Sequence, residues 1–256
     1  MGYVPLMAHP FPSWLLPILI APFIGSFLGV LITRAKAPGT ILWTRSICDA
    51  CGHTLGASDL VPLVSWVATA GRCRYCATRI GLFYPAIELT ATGVAVWSAV
   101  LTSGWLTWAT CVLGWALLAL AFIDWRELRL PDFLTLPLIP VGLAVNWMLG
   151  GVPLLVAGVI GSVAGFLFIL AVRWLYAAIR HREGIGLGDA KLFAAAGAWV
   201  GWIGLPSVLL VAALFALASS LLRYVGKDRL RSDERVPFGT FLCLGIWLVW
   251  LYGPLA

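Results

Sequence analysis

The sequence predicts an all-α polytopic membrane protein, with about eight transmembrane helices and a cytosolic loop after the first. Three observations carry this. Of 256 residues, 61% are hydrophobic and 11% charged, and mean hydropathy is +0.97; no water-soluble core needs that much apolar surface. The apolar residues fall into eight runs near spanning length. The basic residues, which give a net charge of +6, all lie on one side of those runs. A net positive charge can mark nucleic-acid binding, but here it reads as the positive-inside bias of a membrane protein, and no nucleic-acid partner is expected.

The eight runs are 14–33, 84–102, 104–123, 133–149, 152–175, 190–203, 205–222 and 238–252. With the N-terminus outside, the segments 34–83, 124–132, 176–189 and 223–237 are inside. All 17 Lys and Arg residues lie in or beside them, and the outside turns near 103, 150 and 204 carry none. Miscounting one run would scatter these charges over both faces, so the pattern predicts eight spans with both termini outside. The first 33 residues contain no Lys or Arg, which argues against a cleaved signal peptide with a basic start. No internal repeat or low-complexity tract is visible. The organisation expected is a first transmembrane helix in 1–33, a cytosolic loop over 34–83, and a seven-helix core over 84–256.

The loop carries Cys48-Asp49-Ala50-Cys51 and Cys73-Arg74-Tyr75-Cys76, with 21 residues between the pairs. Two CxxC pairs suit a tetrahedral thiolate zinc site. A cytosolic compartment disfavours disulfides. A loop this short has little core, so a structural Zn2+ held by Cys48, Cys51, Cys73 and Cys76 would supply much of its folding free energy. His53 is a spare candidate ligand. His9 and His181 read as exposed polar residues, and Cys111 and Cys243 as small hydrophobes.

Four acids and a lysine sit at the membrane boundary, where ionisable groups are costly and usually functional. Asp124 ends the third run, in Ile123-Asp124-Trp125. Asp189 opens the sixth, in Gly186-Leu187-Gly188-Asp189-Ala190-Lys191. Opposite run directions put the two at one face and similar depth, 65 residues apart in sequence. Two neighbouring carboxylates cannot both ionise readily, which gives a base and an acid in one site, able to activate water against a peptide carbonyl. Asp189 alone could equally be a helix N-terminal cap, with Gly186 and Gly188 giving room for close backbone approach. Asp132, after Pro131, reads first as a helix N-terminal acid. Glu88, one turn inside the second run, either pairs with a basic residue or lines a cavity. Lys191 either snorkels or holds a carboxylate ionised. A proton-coupled transporter would need charges midway through the spans, and a non-catalytic scaffold would leave the paired aspartates unexplained.

Together these residues resemble the prepilin peptidase (type IV leader peptidase) family. The likeness runs through Gly25-Ser26-Phe27-Leu28-Gly29-Val30 with Arg34, Arg45 to Cys51, Asp59 to Trp66, Gly71 to Cys76, Tyr84-Pro85 with Glu88, Asp124 with Leu130-Pro131-Asp132, Gly186 to Lys191, and Pro237-Phe238-Gly239 with Phe241. It implies a bacterial inner-membrane aspartic endopeptidase with both termini periplasmic. Such enzymes cut the basic leader of prepilin or pseudopilin precursors, of type IV pili or type II secretion, after a glycine at the cytosolic face. Many members also methylate the new N-terminal residue with S-adenosyl-L-methionine; peptidase activity alone is the alternative. The family pattern maps its catalytic pair onto Asp124 and Asp189 rather than Asp132, and associates the cysteine loop with zinc and methyl transfer. No glycine-rich dinucleotide fingerprint is present, so no S-adenosylmethionine contact maps to a residue. The chain departs from the family pattern in four residues and one length. Gly29 replaces Asn, Asp49 replaces Pro, Ala77 replaces Gly, Thr240 replaces the second Pro of Pro-Phe-Gly-Pro, and the stretch before the first cysteine pair is short.

Overall fold

A computed structural model describes residues 14–36, 39, 45–180, 186–225 and 237–255. His9, His181, Arg182 and the basic run from Lys227 to Arg235 lie outside the described residues. Seven α-helices follow in order: α1 Leu15–Thr33, α2 Val64–Ala68, α3 Phe83–Leu101, α4 Trp105–Glu127, α5 Asp132–Arg180, α6 Leu187–Val225 and α7 Phe238–Tyr252. The described residues contain no β-strand, only two isolated bridges in the loop between α1 and α3. Helices α1, α3, α4, α5 and α6 are long and apolar enough to cross a membrane. The fold is that of an all-α polytopic membrane protein.

The chain divides into two compact units, Met1–Trp115 and Ala116–Ala256. In the first, α1 lies on α3 through a small-residue seam of the kind that lets membrane helices approach closely. A Cβ on Gly25 would stand 2.6 Å from the Cα of Glu88, and one on Gly29 would stand 2.9 Å from the Tyr84 ring. Gly29, unusual for the family pattern, is therefore the space that Tyr84 occupies. The start of α4 is tied to α3 by the Trp115 indole, which donates to the Ala91 carbonyl at 2.9 Å in a buried position.

In the second unit, the lengths of α5 and α6 need explaining. Unbroken, they would measure about 74 and 58 Å, roughly twice the hydrocarbon core. Both are broken by glycine. In α5 the break is at Gly150 and Gly151, with Gly151 at φ 64°. In α6 it is at Gly201, at φ 68°. Both positive angles are ones an L side chain rarely adopts. The packing shows that each break is a reversal. Residues 143 and 158 would lie about 22 Å apart in a straight helix, yet a Cβ on Gly158 would stand 3.0 Å from the Leu143 side chain. The first arm of α6 runs parallel to α7, with Trp199 against Trp250 at 5.0 Å. Its second arm runs antiparallel to α7: Val208 meets Gly245, and Val200 and Val249 flank Gly204. The resulting arms, 132–149, 152–180, 187–200 and 202–225, follow the expected apolar runs to within a few residues.

The breaks free carbonyls, and the fold supplies donors for them. The Asn146 amide donates to Ala198 at 2.7 Å and Trp199 at 3.1 Å, the last carbonyls of the first arm of α6. The Trp199 indole donates to Leu138 at 2.8 Å. The arms of α5 and α6 touch backbone to backbone at Gly161 and Gly197, where a Cβ on Gly197 would overlap the Gly161 carbonyl. Gly197→Ala is therefore expected to cost about 1–3 kcal/mol through forced separation of the arms, read as a lower unfolding temperature in detergent. A variant as stable as the parent would contradict this packing.

Candidate active site and metal centre

The cysteine loop is built from two copies of one backbone pattern. Around the first pair, Gly52 N–H donates to Cys48 O at 2.8 Å, Cys48 N–H to His53 O at 2.9 Å, and Leu55 N–H to Ser46 O at 2.9 Å. Around the second, Ala77 N–H donates to Cys73 O at 2.9 Å, Cys73 N–H to Thr78 O at 2.8 Å, and Ile80 N–H to Gly71 O at 2.7 Å. The isolated bridges Ile47–Thr54 and Arg72–Arg79 close the two stems. The likeness is one of backbone geometry and cysteine spacing rather than a sequence repeat. The side chains differ throughout except for the cysteines, so composition does not reveal it.

The four thiols converge, with all sulfurs within 4.8 Å of one another. Cys48 and Cys76 Sγ are 3.8 Å apart, which matches the edge of a tetrahedron with metal–sulfur bonds of about 2.3 Å. It is far too long for a disulfide bond of about 2.05 Å. The Thr78 hydroxyl, 3.4 Å from Cys76 Sγ, helps hold that thiol down to about 6, and the state so favoured, thiolate, is the ligand form. Donor type, number and spacing all fit a tetrahedral metal ion. His53 instead lies over the Tyr75 ring at 3.6 Å.

The loop is tied down at two acids. Asp59, half-buried with its side chain 8% exposed, accepts from Gly56 N–H at 3.1 Å through Oδ2 and faces Arg74 of the second knuckle at 3.2 Å through Oδ1. That second contact is an ion pair off the hydrogen-bond direction. Glu88, buried in α3, accepts from Leu63 N–H at 2.8 Å, and Ser26 of α1 also hydrogen-bonds to it. Leu63 sits at φ 58°, ψ −48°, a strained turn conformation for a branched residue. The carboxylate of Glu88 thus holds the loop's strained turn onto α3.

The second cluster lies where three helices of the second unit begin. Helix α4 runs four residues beyond the expected run, to Glu127, and closes at Leu128, whose N–H donates to Asp124 O at 2.8 Å with φ 53°. Asp124 is thus inside the helix, 5% exposed. Its Oδ2 accepts from the backbone N–H of Thr240 at 2.7 Å and lies 3.2 Å from the Thr240 hydroxyl. Gly239 allows this: a Cβ there would press on the Asp124 carboxyl carbon at 3.0 Å. Asp189 is the third residue of α6, and its Oδ2 accepts from Gly186 N–H at 3.3 Å, half of a capping box. Asp189 therefore holds the capping position that the sequence allowed. It caps α6, and it lies close enough to Asp124 for the two charges to interact. Cys243 of α7 lies beside both.

Lys191 and Asp132 form one unit. The ammonium lies 2.7 Å from both carboxylate oxygens, linking the starts of α5 and α6. Asp132 is the first residue of α5, as expected. Lys191 serves it rather than Asp189. Gly188 does not leave space for a ligand: a Cβ there would stand 2.9 Å from Leu130, whose side chain also reaches Gly239. Leu130 and Thr240 are the residues that sequence reasoning missed. Leu130 shows only as part of Leu130-Pro131-Asp132, and Thr240 only as a departure from Pro.

Comparison with known proteins agrees with this division. A family model described as the bacterial peptidase A24 N-terminal domain matches residues 19–102, and one described as the type IV leader peptidase family matches residues 111–221. The chain is 39% identical over 280 aligned positions to a prepilin leader peptidase/N-methyltransferase of Aeromonas salmonicida, covering 96% of this chain and 94% of that protein. It is 41% identical to one of Burkholderia pseudomallei, covering 89% and 82%. It is 33% identical to one of Pseudomonas aeruginosa, covering 97% and 93%. No solved structure matches the chain.

Ala77 occupies the position that Gly52 fills in the first knuckle, at φ 57° against 69°. Ala77→Gly should relieve about 1 kcal/mol of left-handed strain, so the variant should retain metal longer against a chelator. Faster loss would contradict the equivalence of the two knuckles.

Proposed function

The chain belongs to the type IV leader peptidase family, and on that premise we propose that it cuts the leader of prepilin or pseudopilin precursors with Asp124 and Asp189 as its catalytic pair. The observation that carries this is the placing of two interacting carboxylates among helix N-termini at one end of the second unit. The substrate is a short basic leader followed by a hydrophobic helix lying in the bilayer, and its scissile bond follows a glycine at the cytosolic interface. One carboxylate draws a proton from water as the oxygen attacks the peptide carbonyl. The other gives its proton to the leaving amine. Helix N-termini supply partial positive charge to the pair, and the Lys191–Asp132 link keeps the starts of α5 and α6 in register. The peptidase core is residues 84–256. The apolar arms cross an inner membrane eight times with both termini periplasmic, a topology that the one-sided Lys and Arg distribution supports.

Segment 34–83 is assigned to methylation of the new N-terminus. Cys48, Cys51, Cys73 and Cys76 hold a structural Zn2+ whose binding stabilises the loop. S-adenosylmethionine supplies an electrophilic methyl group when bound. The names of the relatives support this activity.

Asp124→Asn and Asp189→Asn should each lower cleavage of a prepilin-like precursor in membranes by about 10²–10⁴-fold, with expression and zinc content unchanged. Cleavage near the parent rate in either variant would remove it from the pair. Cys73→Ser should lower the methylated fraction of the product, read by mass spectrometry of its N-terminus, more than it lowers cleavage. The reverse order would overturn the assignment of the loop.

A further inference from the structure

We infer that Thr240 is a positioning residue for Asp124, through an interaction that a proline at this position could not make. The inference rests on Asp124 belonging to the catalytic pair. Proline has no N–H and no hydroxyl. Thr240 offers both, to the same oxygen: the N–H at 2.7 Å and Oγ1 at 3.2 Å from Asp124 Oδ2. Oγ1 also lies 3.0 Å from the Ala121 carbonyl, one turn back on α4. A hydroxyl carries one proton, so it can donate to one of these acceptors at a time.

This defines a rotor. While Asp124 is ionised, the hydroxyl donates to Oδ2, a charge-assisted bond beside that of the N–H. When Asp124 takes up a proton from water at Oδ1, the charge that held the hydroxyl is gone. The hydroxyl then turns to Ala121, while the N–H keeps Oδ2 in place. The hydroxyl has an acceptor within reach in either state. Oδ2 is held by α7 through Thr240, and the reaction with water is assigned to Oδ1. Among the described residues, Asp189 of α6 and Cys243 of α7 are titratable groups that face Asp124 from neighbouring elements; Thr240 adds no charge of its own. It selects which oxygen works and steadies it.

The experiment compares leader cleavage by the full chain in lipid nanodiscs for Thr240→Val, Thr240→Ser and Asp124→Asn. Thr240→Val keeps the N–H and the shape but lacks the hydroxyl. It is expected to lower kcat about tenfold with KM unchanged within twofold, while Thr240→Ser stays within twofold of the parent in both. Parental kcat in Thr240→Val overturns the inference. So does a loss carried by KM, or a Thr240→Ser variant as slow as Thr240→Val, since either indicates a packing role. Unfolding temperature and zinc content are recorded for each variant, and a Thr240→Val that loses rate only because it unfolds also overturns it. Asp124→Asn separates the two levels. If it is inactive while Thr240→Val is normal, only the rotor fails; if it cleaves like the parent, the catalytic pair has failed as well.

Discussion

A carboxylate at the edge of hydrocarbon must find donors within the protein, and the second unit is arranged around that need at Asp124. Only two structures can offer backbone N–H groups there without exposing unpaired backbone to lipid: a helix start and a tight turn. The fold uses helix starts. Helices α5, α6 and α7 all begin at the end of α4 that carries Asp124, because the first arm of α6 runs parallel to α7 and to the first arm of α5. That parallelism requires α5 and α6 each to return within themselves, and the glycine breaks at 150–151 and 201 make the return possible. Donors at one end of the bundle thus depend on turns at the other.

The first unit meets a different constraint with similar means. Its loop has too few apolar residues for a core, so order comes from sulfurs drawn within 4.8 Å and from two carboxylates. Asp59 gathers one turn and the second knuckle, and Glu88 receives the N–H of the strained Leu63. The α1 seam at Gly25 and Gly29 matters to the loop through the same helix, because α1 lies directly against the Glu88 backbone and the Tyr84 ring. A substitution in that seam would reach the loop through α3.

Much of this was legible in the sequence, and the reason is physical. Hydrophobic run length, the one-sided basic residues and the cysteine spacing each reflect a cost paid locally, so each leaves a local mark. The eight runs, the tetracysteine cluster and the shared face of Asp124 and Asp189 follow from such marks. What was not legible depends on register between distant segments. Lys191 meets Asp132 across 59 positions, Asp124 meets Thr240 across 116, and Leu130 fills the space that Gly188 seemed to reserve. Glycine is ambiguous for the same reason: Gly151 serves φ, Gly197 serves a neighbouring backbone and Gly29 an aromatic ring, and one letter covers all three.

The glycine turns of α5 and α6 also make the second unit sided in charge. The turn residues 150–151 and 201 hold no Asp, Glu, Lys or Arg. Every charged side chain of α5, α6 and α7 lies toward the other end. The charged side chains of α5 and α6 that a water-soluble partner could meet therefore stand toward the end that carries the aspartates.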